Sequence, residues 1–195
     1  MMRIIAGMLK GRIIPFNNRA FGGAETTQQK TKEALFSILG PHLEGLRFLD
    51  LYACSGQMGL EAASRGCSLV VMNEPDAARN AFIRDMVREW GLEGSARVSR
   101  MSDVKCVSML AGEGLRFEFV FIDPPYDKNR GGEGRYSEIL AMIGKASILA
   151  PGGRVIVQHF EHNSIPGESG VLALQESRRY GSSRLSFYGM RAGDA

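Results

Sequence analysis

Short apolar runs alternate with helical patterns along the chain from residue 47 onward. The runs RFLDLY, LVVMN, ARVSR, FEFVFI and RVIVQHF predict five strands. Between them, the apolar residues of MGLEAASRG, DAARNAFIRDMVREWGL, DVKCVSMLA and SEILAMIGKASIL recur at helical spacing. Strands that are apolar almost throughout and that alternate with helices are typical of a parallel sheet covered on both faces. The pattern therefore predicts an α/β, doubly wound fold.

Both ends of the chain depart from this alternation. RIIAGMLKGRIIPF contains two short β-branched runs around Gly7 and Gly11, which predict a hairpin, and KTKEALFSIL then has helical spacing. Near the other end, VLALQESRRY and SRLSFYGM are joined by a turn at Gly181, which predicts two antiparallel strands. We therefore expect a mostly parallel sheet of seven strands within residues 41–195, preceded by a hairpin and helix extension over residues 1–40.

Composition narrows the class of protein. The chain has 195 residues, of which 44% are hydrophobic and 23% charged, as in a globular protein with a sizeable core. Its net charge of +3 permits a nucleic-acid partner without requiring one. The three cysteines form no C-x-x-C pair, which argues against a disulfide framework and a structural zinc. No run approaches about 18 apolar residues, so we expect a soluble, cytoplasmic protein with no bound metal and no membrane partner.

The first candidate site residues follow the first two predicted strands of the sheet. In an open α/β sheet, ligands bind beyond the carboxyl ends of the strands. Asp50 ends the first strand, and Ser55 and Gly56 follow in a short loop that opens a helix. Glycine lets the backbone approach a ligand, and a helix N-terminus offers unpaired N–H groups. Glu74 ends the second strand, roughly 20 residues further on, where a carboxylate is placed to accept hydrogen bonds from a ribose diol.

The third strand is followed by Ser102 and Asp103, which we expect to meet an adenine edge. Each of these strand-end residues also has a structural interpretation, as a loop or helix cap. Three consecutive strand ends that suit one nucleoside favour a binding pocket. The loop ACSGQMG lacks the first glycine of G-x-G-x-x-G, which argues against a nicotinamide dinucleotide. We therefore predict a nucleoside cofactor without phosphate.

The fourth strand end, VFIDPPYDK, has a different character. A Pro-Pro pair cannot continue a central strand, so the chain must turn sharply after Asp123. A nucleoside pocket followed by Asp-Pro-Pro-Tyr resembles the S-adenosylmethionine-dependent methyltransferases that modify exocyclic amino groups of nucleobases. Because RIIAGMLKGR, KTKEALFSIL, DLYACSGQMGLEAASRG, LAPGGRVIVQH and YGSSRLSFY occur in the same order, the chain resembles more narrowly the RsmD family.

The resemblance implies a Rossmann-like class I methyltransferase fold that uses S-adenosylmethionine to methylate N2 of a guanine in bacterial 16S ribosomal RNA. On this basis we expect Asp123, Pro124 and Tyr126 to be the catalytic residues. The carboxylate of Asp123 and the carbonyl of Pro124 are placed to accept the amino hydrogens, and Tyr126 offers a ring on which the base can stack. The implied partner is 16S ribosomal RNA within a partly assembled small subunit, and we expect a monomer.

Basic residues in the first forty positions are candidates for binding the RNA backbone. They are Arg3, Lys10, Arg12, Arg19, Lys30 and Lys32. His159 and His162 are interpreted as satisfied or solvated histidines, since no third metal ligand accompanies them. Two alternatives stay open: a DNA adenine-N6 or cytosine-N4 methyltransferase, and a nucleoside-binding protein that has lost catalysis.

Three features depart from the family pattern. Glu25, Thr26 and Thr27 stand where the family has Arg-Pro-Thr, and the loop DKNRGGEGR after Tyr126 is longer and richer in glycine than usual. Cys54 stands where the family has glycine. If that position requires a positive φ, the cysteine is held in a strained conformation.

Overall fold

The computed structural model of the protein describes residues 2–23, 27–124, 133–191 and 193, with the backbone alone at Glu133. The chain packs as two compact units, Met1–Ser102 and Asp103–Ala195. Each unit has its own strands and helices. The assignment of residues 1–40 as a separate extension stays a prediction.

The first unit begins with the predicted hairpin. Two short strands, β1 (Met2–Arg3) and β2 (Ile13–Ile14), pair antiparallel. At Gly7, where φ is +82°, an added Cβ would lie 1.7 Å from the Ser64 carbonyl oxygen. Only glycine permits this approach of the hairpin to the rest of the unit. The hairpin prediction is confirmed.

The remainder of the first unit follows the predicted alternation of strands and helices. Its helices are α1 (Gln29–Leu39), α2 (Gln57–Ser64) and α3 (Ala77–Glu89). Its parallel strands are β3 (Arg47–Asp50), β4 (Leu69–Asn73) and β5 (Ala96–Ser99), which lie in the order β5-β4-β3. Strand residues such as Phe48, Leu49, Val70 and Val71 are fully buried. Apolar side chains on both faces of each strand account for a sheet that is covered on both sides.

The second unit contains the remaining helices and strands. Its helices are α4 (Asp103–Gly112) and α5 (Glu133–Ala146). Its strands are β6 (Phe117–Ile122), β7 (Leu149–Phe160), β8 (Glu168–Ser169), β9 (Leu172–Tyr180) and β10 (Ser183–Met190), in the order β6-β7-β10-β9-β8. Strands β6 and β7 are parallel, whereas the other neighbours are antiparallel. The predicted antiparallel pair that turns at Gly181 is thereby confirmed.

The strand count differs from the prediction of seven. Apart from β1 and β2, the two units contain 8 strands, because the two-residue strand β8 pairs with the start of β9. Strand β7 also begins earlier than expected, at Leu149. Its pairing with β6 shifts register between Phe117 and Phe119. The sequence LAPGG is thus accommodated as an irregularity within the strand instead of a break before it.

The length and hydropathy of the helices decide whether any of them could span a membrane. Within residues 2–23, 27–124 and 133–191, no helix combines the length and hydropathy that a bilayer span requires.

Candidate active site

The loop after β3 is fixed by the residue that ends the strand. Asp50 is 1% exposed, and its Oδ2 accepts a hydrogen bond from the Gly59 N–H in the first turn of α2 at 3.3 Å. Gly56 has a φ of +74° and precedes α2 directly. A Cβ there would lie 3.2 Å from Ile83, so the loop fits closely over α3. Asp50 therefore orients the loop, and its direct contact with a cofactor stays a prediction.

Ser55 provides an observation that bears on ligand binding. Its side chain is 1% exposed, and its Oγ has no hydrogen-bond partner in the part of the chain that the structure describes. A buried hydroxyl without a partner is destabilising by about 1–3 kcal/mol. A polar ligand in this loop would satisfy it, so the residues present fit the cofactor that the sequence predicts.

Cys54 lies in the same loop with a left-handed backbone. Its φ of +50° is in the region that glycine adopts most readily. The structure therefore agrees with the expectation that this position needs a positive φ. The backbone N–H of Cys54 donates to Glu74 Oε2 at 2.9 Å. The strained residue thus connects the loop after β3 to the carboxylate that follows β4.

Glu74 follows β4 and is 3% exposed. In addition to the Cys54 N–H on Oε2, its Oε1 accepts from the Asp76 N–H at 2.8 Å and from Arg79 Nη2 at 3.0 Å. Burial lowers the pKa of Arg79, but the hydrogen bond and charge of Glu74 outweigh it and raise that pKa above its ordinary value. The carboxylate is therefore held in one orientation by two backbone donors and a cation.

Two asparagines that the sequence did not single out hold the strand ends of the first unit together. The Asn73 amide donates to the carbonyls of Leu51 at 3.3 Å and Met101 at 3.1 Å, which belong to the loops after β3 and β5. The Asn80 amide donates to the Glu74 carbonyl at 3.1 Å. Their only sequence signal was an amide at the end of an apolar strand and another on the buried face of a helix.

The residues after β5 have different environments. Ser102 is exposed and directly precedes α4. The Asp103 side chain is 11% exposed, and its Oδ2 forms an ion pair with Arg135 Nη2 at 2.6 Å. Arg135 was not expected, because the sequence assigned it to a loop. The adenine contact of Ser102 and Asp103 stays a prediction.

The second unit carries the acidic residue of the Asp-Pro-Pro-Tyr motif. Asp123 follows β6 and is half-buried, and Pro124 is buried. Asp123 Oδ2 accepts a hydrogen bond from Gln158 Nε2 on β7 at 2.8 Å. Gln158 is 4% exposed and was not singled out, although it is the one amide in the apolar run RVIVQHF. Tyr126 lies outside the described residues, so its stacking role stays a prediction.

Tyr136 on α5 is an aromatic residue whose hydroxyl is influenced by the charge of Asp123. It is 3% exposed, and its hydroxyl accepts a hydrogen bond from Asn163 Nδ2 at 3.3 Å. Burial raises the pKa of Tyr136, and the charge of Asp123 raises it further. Sequence patterning missed Tyr136 because the predicted helix began one residue later.

The six basic candidates within the first forty residues divide into two groups. Arg3, Lys10, Arg12, Arg19 and Lys30 are exposed, as binding to phosphates requires. Lys32, in contrast, is 0% exposed, and its assignment to an RNA-binding face is wrong. Its Nζ donates to the Arg3 carbonyl at 2.6 Å and lies 3.6 Å from Glu61 Oε2. A buried ammonium with these partners ties α1 to the hairpin and α2.

The surroundings of His159 and His162 agree with their interpretation as satisfied or solvated side chains. His159 is 1% exposed, and its ring nitrogens lie 2.9 Å from the Phe160 carbonyl oxygen and from Ser186 Oγ. Burial lowers the pKa of His159, which favours the neutral ring. His162 is exposed and pairs with Glu161. Among the described residues, no group of three or more histidine, cysteine or acidic side chains is arranged to hold a metal ion.

The architecture and its similarity to solved structures place the chain among the Rossmann-like methyltransferases in fold. A solved structure titled "Putative methyltransferase yhhF" from Escherichia coli aligns with a TM-score of 0.77 over 97% of each chain. The two sequences are 23% identical, so this similarity shows the fold alone. The predicted α/β methyltransferase fold class is confirmed.

The family follows from the sequence. The family described as "Conserved hypothetical protein 95" matches residues 2–189, and the chain belongs to this family, the RsmD family. It is 29% identical over 192 residues to "Putative rRNA methyltransferase YlbH" of Bacillus subtilis, covering 97% of this chain and 100% of that protein. It is 30% identical over 168 residues to "Ribosomal RNA small subunit methyltransferase D" of Escherichia coli K12, covering 85% and 78%. The family assignment made from the sequence is confirmed.

Proposed function

We propose that the chain is an S-adenosylmethionine-dependent methyltransferase that modifies the exocyclic N2 amino group of a guanine in bacterial 16S ribosomal RNA. Membership of the RsmD family supports the reaction class and the substrate class. The observation that carries the choice of an amino group is the arrangement at the end of β6. There Asp123 is held by Gln158 and is followed by two prolines.

All but one of the residues that would hold the cofactor belong to the first unit, the exception being Asp103, which begins the second. S-adenosylmethionine supplies a methyl group that its sulfonium makes electrophilic. Glu74 binds the ribose hydroxyls, and the buried Ser55 Oγ gains a partner in the loop that Gly56 closes. Asp50 fixes that loop through its bond to Gly59. Ser102 and Asp103 contact the adenine edge.

The end of β6 prepares the amino group for attack. The lone pair of a guanine amino nitrogen is delocalised into the ring, which makes it a poor nucleophile. The Asp123 carboxylate and the Pro124 carbonyl accept its two hydrogens and favour a pyramidal nitrogen with a localised lone pair. Bound S-adenosylmethionine would supply the methyl group to this nitrogen and would itself become S-adenosylhomocysteine. Asp123 accepts the proton that the nitrogen loses after attack.

Gln158 is a positioning residue for this step. Its amide donates to one oxygen of Asp123 and so fixes the rotation of the carboxylate. Tyr126 stacks on the target base, which must leave any helix to be reached, and such stacking contributes roughly 1–3 kcal/mol.

The substrate is expected to be a structured RNA in a partly assembled small subunit, recognised by a monomer in the cytoplasm. Exposed basic residues of the hairpin and α1 bind its phosphates. Replacing Lys10 and Lys30 together by glutamine is then expected to reduce the slope of log affinity against log salt by about 2. Replacing the exposed Lys105 and Lys145 of the second unit is the matched control. Equal effects of the two pairs would remove the hairpin and α1 from the RNA-binding surface.

The proposed function is tested by nucleoside mass spectrometry of ribosomal RNA and DNA from a strain that lacks this chain. We expect N2-methylguanosine to disappear from one site in small-subunit RNA, to return with the wild-type chain, and to stay absent with Asp123→Ala. Loss of N6-methyladenine or N4-methylcytosine from DNA would instead support the DNA-modifying alternative.

A further inference from the structure

Arg79 occupies an acceptor position on the carboxylate that the cofactor needs. Its Nη2 donates to Glu74 Oε1 at 3.0 Å, and the Asp76 N–H donates to the same oxygen at 2.8 Å. A carboxylate oxygen has two lone-pair positions. Both positions of Oε1 are therefore used, whereas Oε2 accepts one bond, from the Cys54 N–H, in the described part of the chain.

A ribose diol donates two hydrogen bonds and so needs two acceptor positions. One is open on Oε2. The second must come from Oε1, where the Asp76 N–H is fixed by the backbone at the start of α3. The bond from Arg79 is the one that can be given up, because it comes from a flexible side chain.

The environment of Arg79 permits this movement. The guanidinium makes one hydrogen bond, to Glu74, and its buried Nε has no partner among the described residues. The Arg79 side chain is 27% exposed, so rotation toward solvent is open to it. The Glu74 side chain is 4% exposed and cannot follow.

We propose that Arg79 competes with the cofactor ribose for Glu74, so that the ion pair opens when cofactor binds and closes again when product leaves. This inference rests on the proposed role of Glu74. The competition weakens binding of the methyl donor and of the product S-adenosylhomocysteine alike, since both carry the same ribose. It therefore favours product release.

Calorimetric titration with S-adenosylhomocysteine tests the competition directly. This probe lacks the sulfonium charge, so removal of Arg79 does not change its affinity through repulsion of that cation. For Arg79→Met we expect binding about threefold to tenfold tighter than for the wild type. Without ligand, the variant should melt at a lower temperature than the wild type, because Glu74 loses its cation. Added S-adenosylhomocysteine should raise the melting temperature of the variant by more than it raises that of the wild type.

Arg88→Met is the matched control, because it removes an exposed ion pair with Asp85 on the same helix without touching Glu74. It should leave affinity unchanged. If Arg79→Met does not fold, Arg79→Gln tests the same loss of charge with a polar side chain. Unchanged or weaker binding in a folded neutral variant of Arg79 would overturn the proposal.

The wild-type chain gives a test that needs no substitution. Salt weakens an ion pair that is partly exposed, so affinity for S-adenosylhomocysteine should rise about twofold between roughly 0.05 M and 0.5 M NaCl. A fall in affinity would contradict the competition. If Glu74→Ala leaves affinity unchanged, the cofactor site itself is wrong. If Glu74→Ala weakens binding while neutral variants of Arg79 change nothing, only the competition is wrong.

Discussion

Two carboxylates at strand ends have contrasting surroundings. Glu74, after β4, is 3% exposed and accepts bonds from two backbone N–H groups and from the Arg79 guanidinium. Asp123, after β6, is half-buried and accepts a bond from the neutral amide of Gln158. The described donors therefore differ in kind: backbone N–H groups and a cation at Glu74, and a side-chain amide at Asp123. The difference in surroundings is what the proposed division of roles requires, with Glu74 binding the cofactor and Asp123 accepting the amino hydrogens.

The largest expected effect comes from removing the acceptor. Asp123→Ala should reduce the single-turnover rate of methylation by about 10³-fold or more, because the amino group loses both an oriented acceptor and the group that takes its proton. The measurement uses small ribosomal subunits as substrate and saturating S-adenosylmethionine. A variant that keeps a tenth of the wild-type rate would show that Asp123 is not the acceptor.

Removing the binding carboxylate should have a smaller effect of a different kind. Glu74→Ala is expected to weaken binding of S-adenosylhomocysteine by roughly 1–3 kcal/mol, the loss typical of hydrogen bonds to a charged group. Calorimetry measures this change. Affinity equal to that of the wild type would take Glu74 out of the site.

The neutral partner of Asp123 provides a sharper comparison. Gln158→Met keeps the length of the side chain but removes the amide that holds the carboxylate, so we expect the turnover rate to fall about tenfold. Cofactor affinity should not change, and the melting temperature should change little. Weaker cofactor binding with an unchanged rate would be inconsistent with a positioning role.

The smallest effect concerns the backbone donor to Glu74. Cys54 has a φ of +50°, so Cys54→Gly should relieve about 1 kcal/mol of strain and raise the melting temperature by about 2–4 °C. Ser147 has a φ of +53° and no place in the site, which makes Ser147→Gly the matched control. A fall in melting temperature for Cys54→Gly would mean that the cysteine contributes packing that outweighs strain.

The sequence predicted the fold well because the parallel strands are apolar on both faces and the helices between them are periodic. It missed β8, whose two residues carry no pattern, and it placed the start of β7 too late because LAPGG has the composition of a turn. These features depend on pairing with distant strands, which local composition does not report.

The site was only partly predictable for a related reason. Strand-end carboxylates can be located from the apolar runs that precede them, so the positions of Glu74 and Asp123 after β4 and β6 were predicted. Their partners Arg79 and Gln158 act through side-chain geometry that spacing does not encode. Lys32 was misassigned because a charge in a helical pattern suggests solvent, whereas its partner Glu61 lies on another helix.

The most direct test of separate roles for Glu74 and Asp123 measures cofactor affinity and the rate of methyl transfer in a variant of each residue. Affinity for S-adenosylhomocysteine and the single-turnover rate at saturating S-adenosylmethionine are determined on the same preparations of Glu74→Ala and Asp123→Ala. We expect Asp123→Ala to bind with the wild-type affinity but to transfer the methyl group about 10³-fold more slowly or worse. Glu74→Ala should bind weakly and transfer at close to the wild-type rate once saturated. If Asp123→Ala loses affinity as Glu74→Ala does, or if both variants lose the rate at saturation equally, the two carboxylates do not have separate roles.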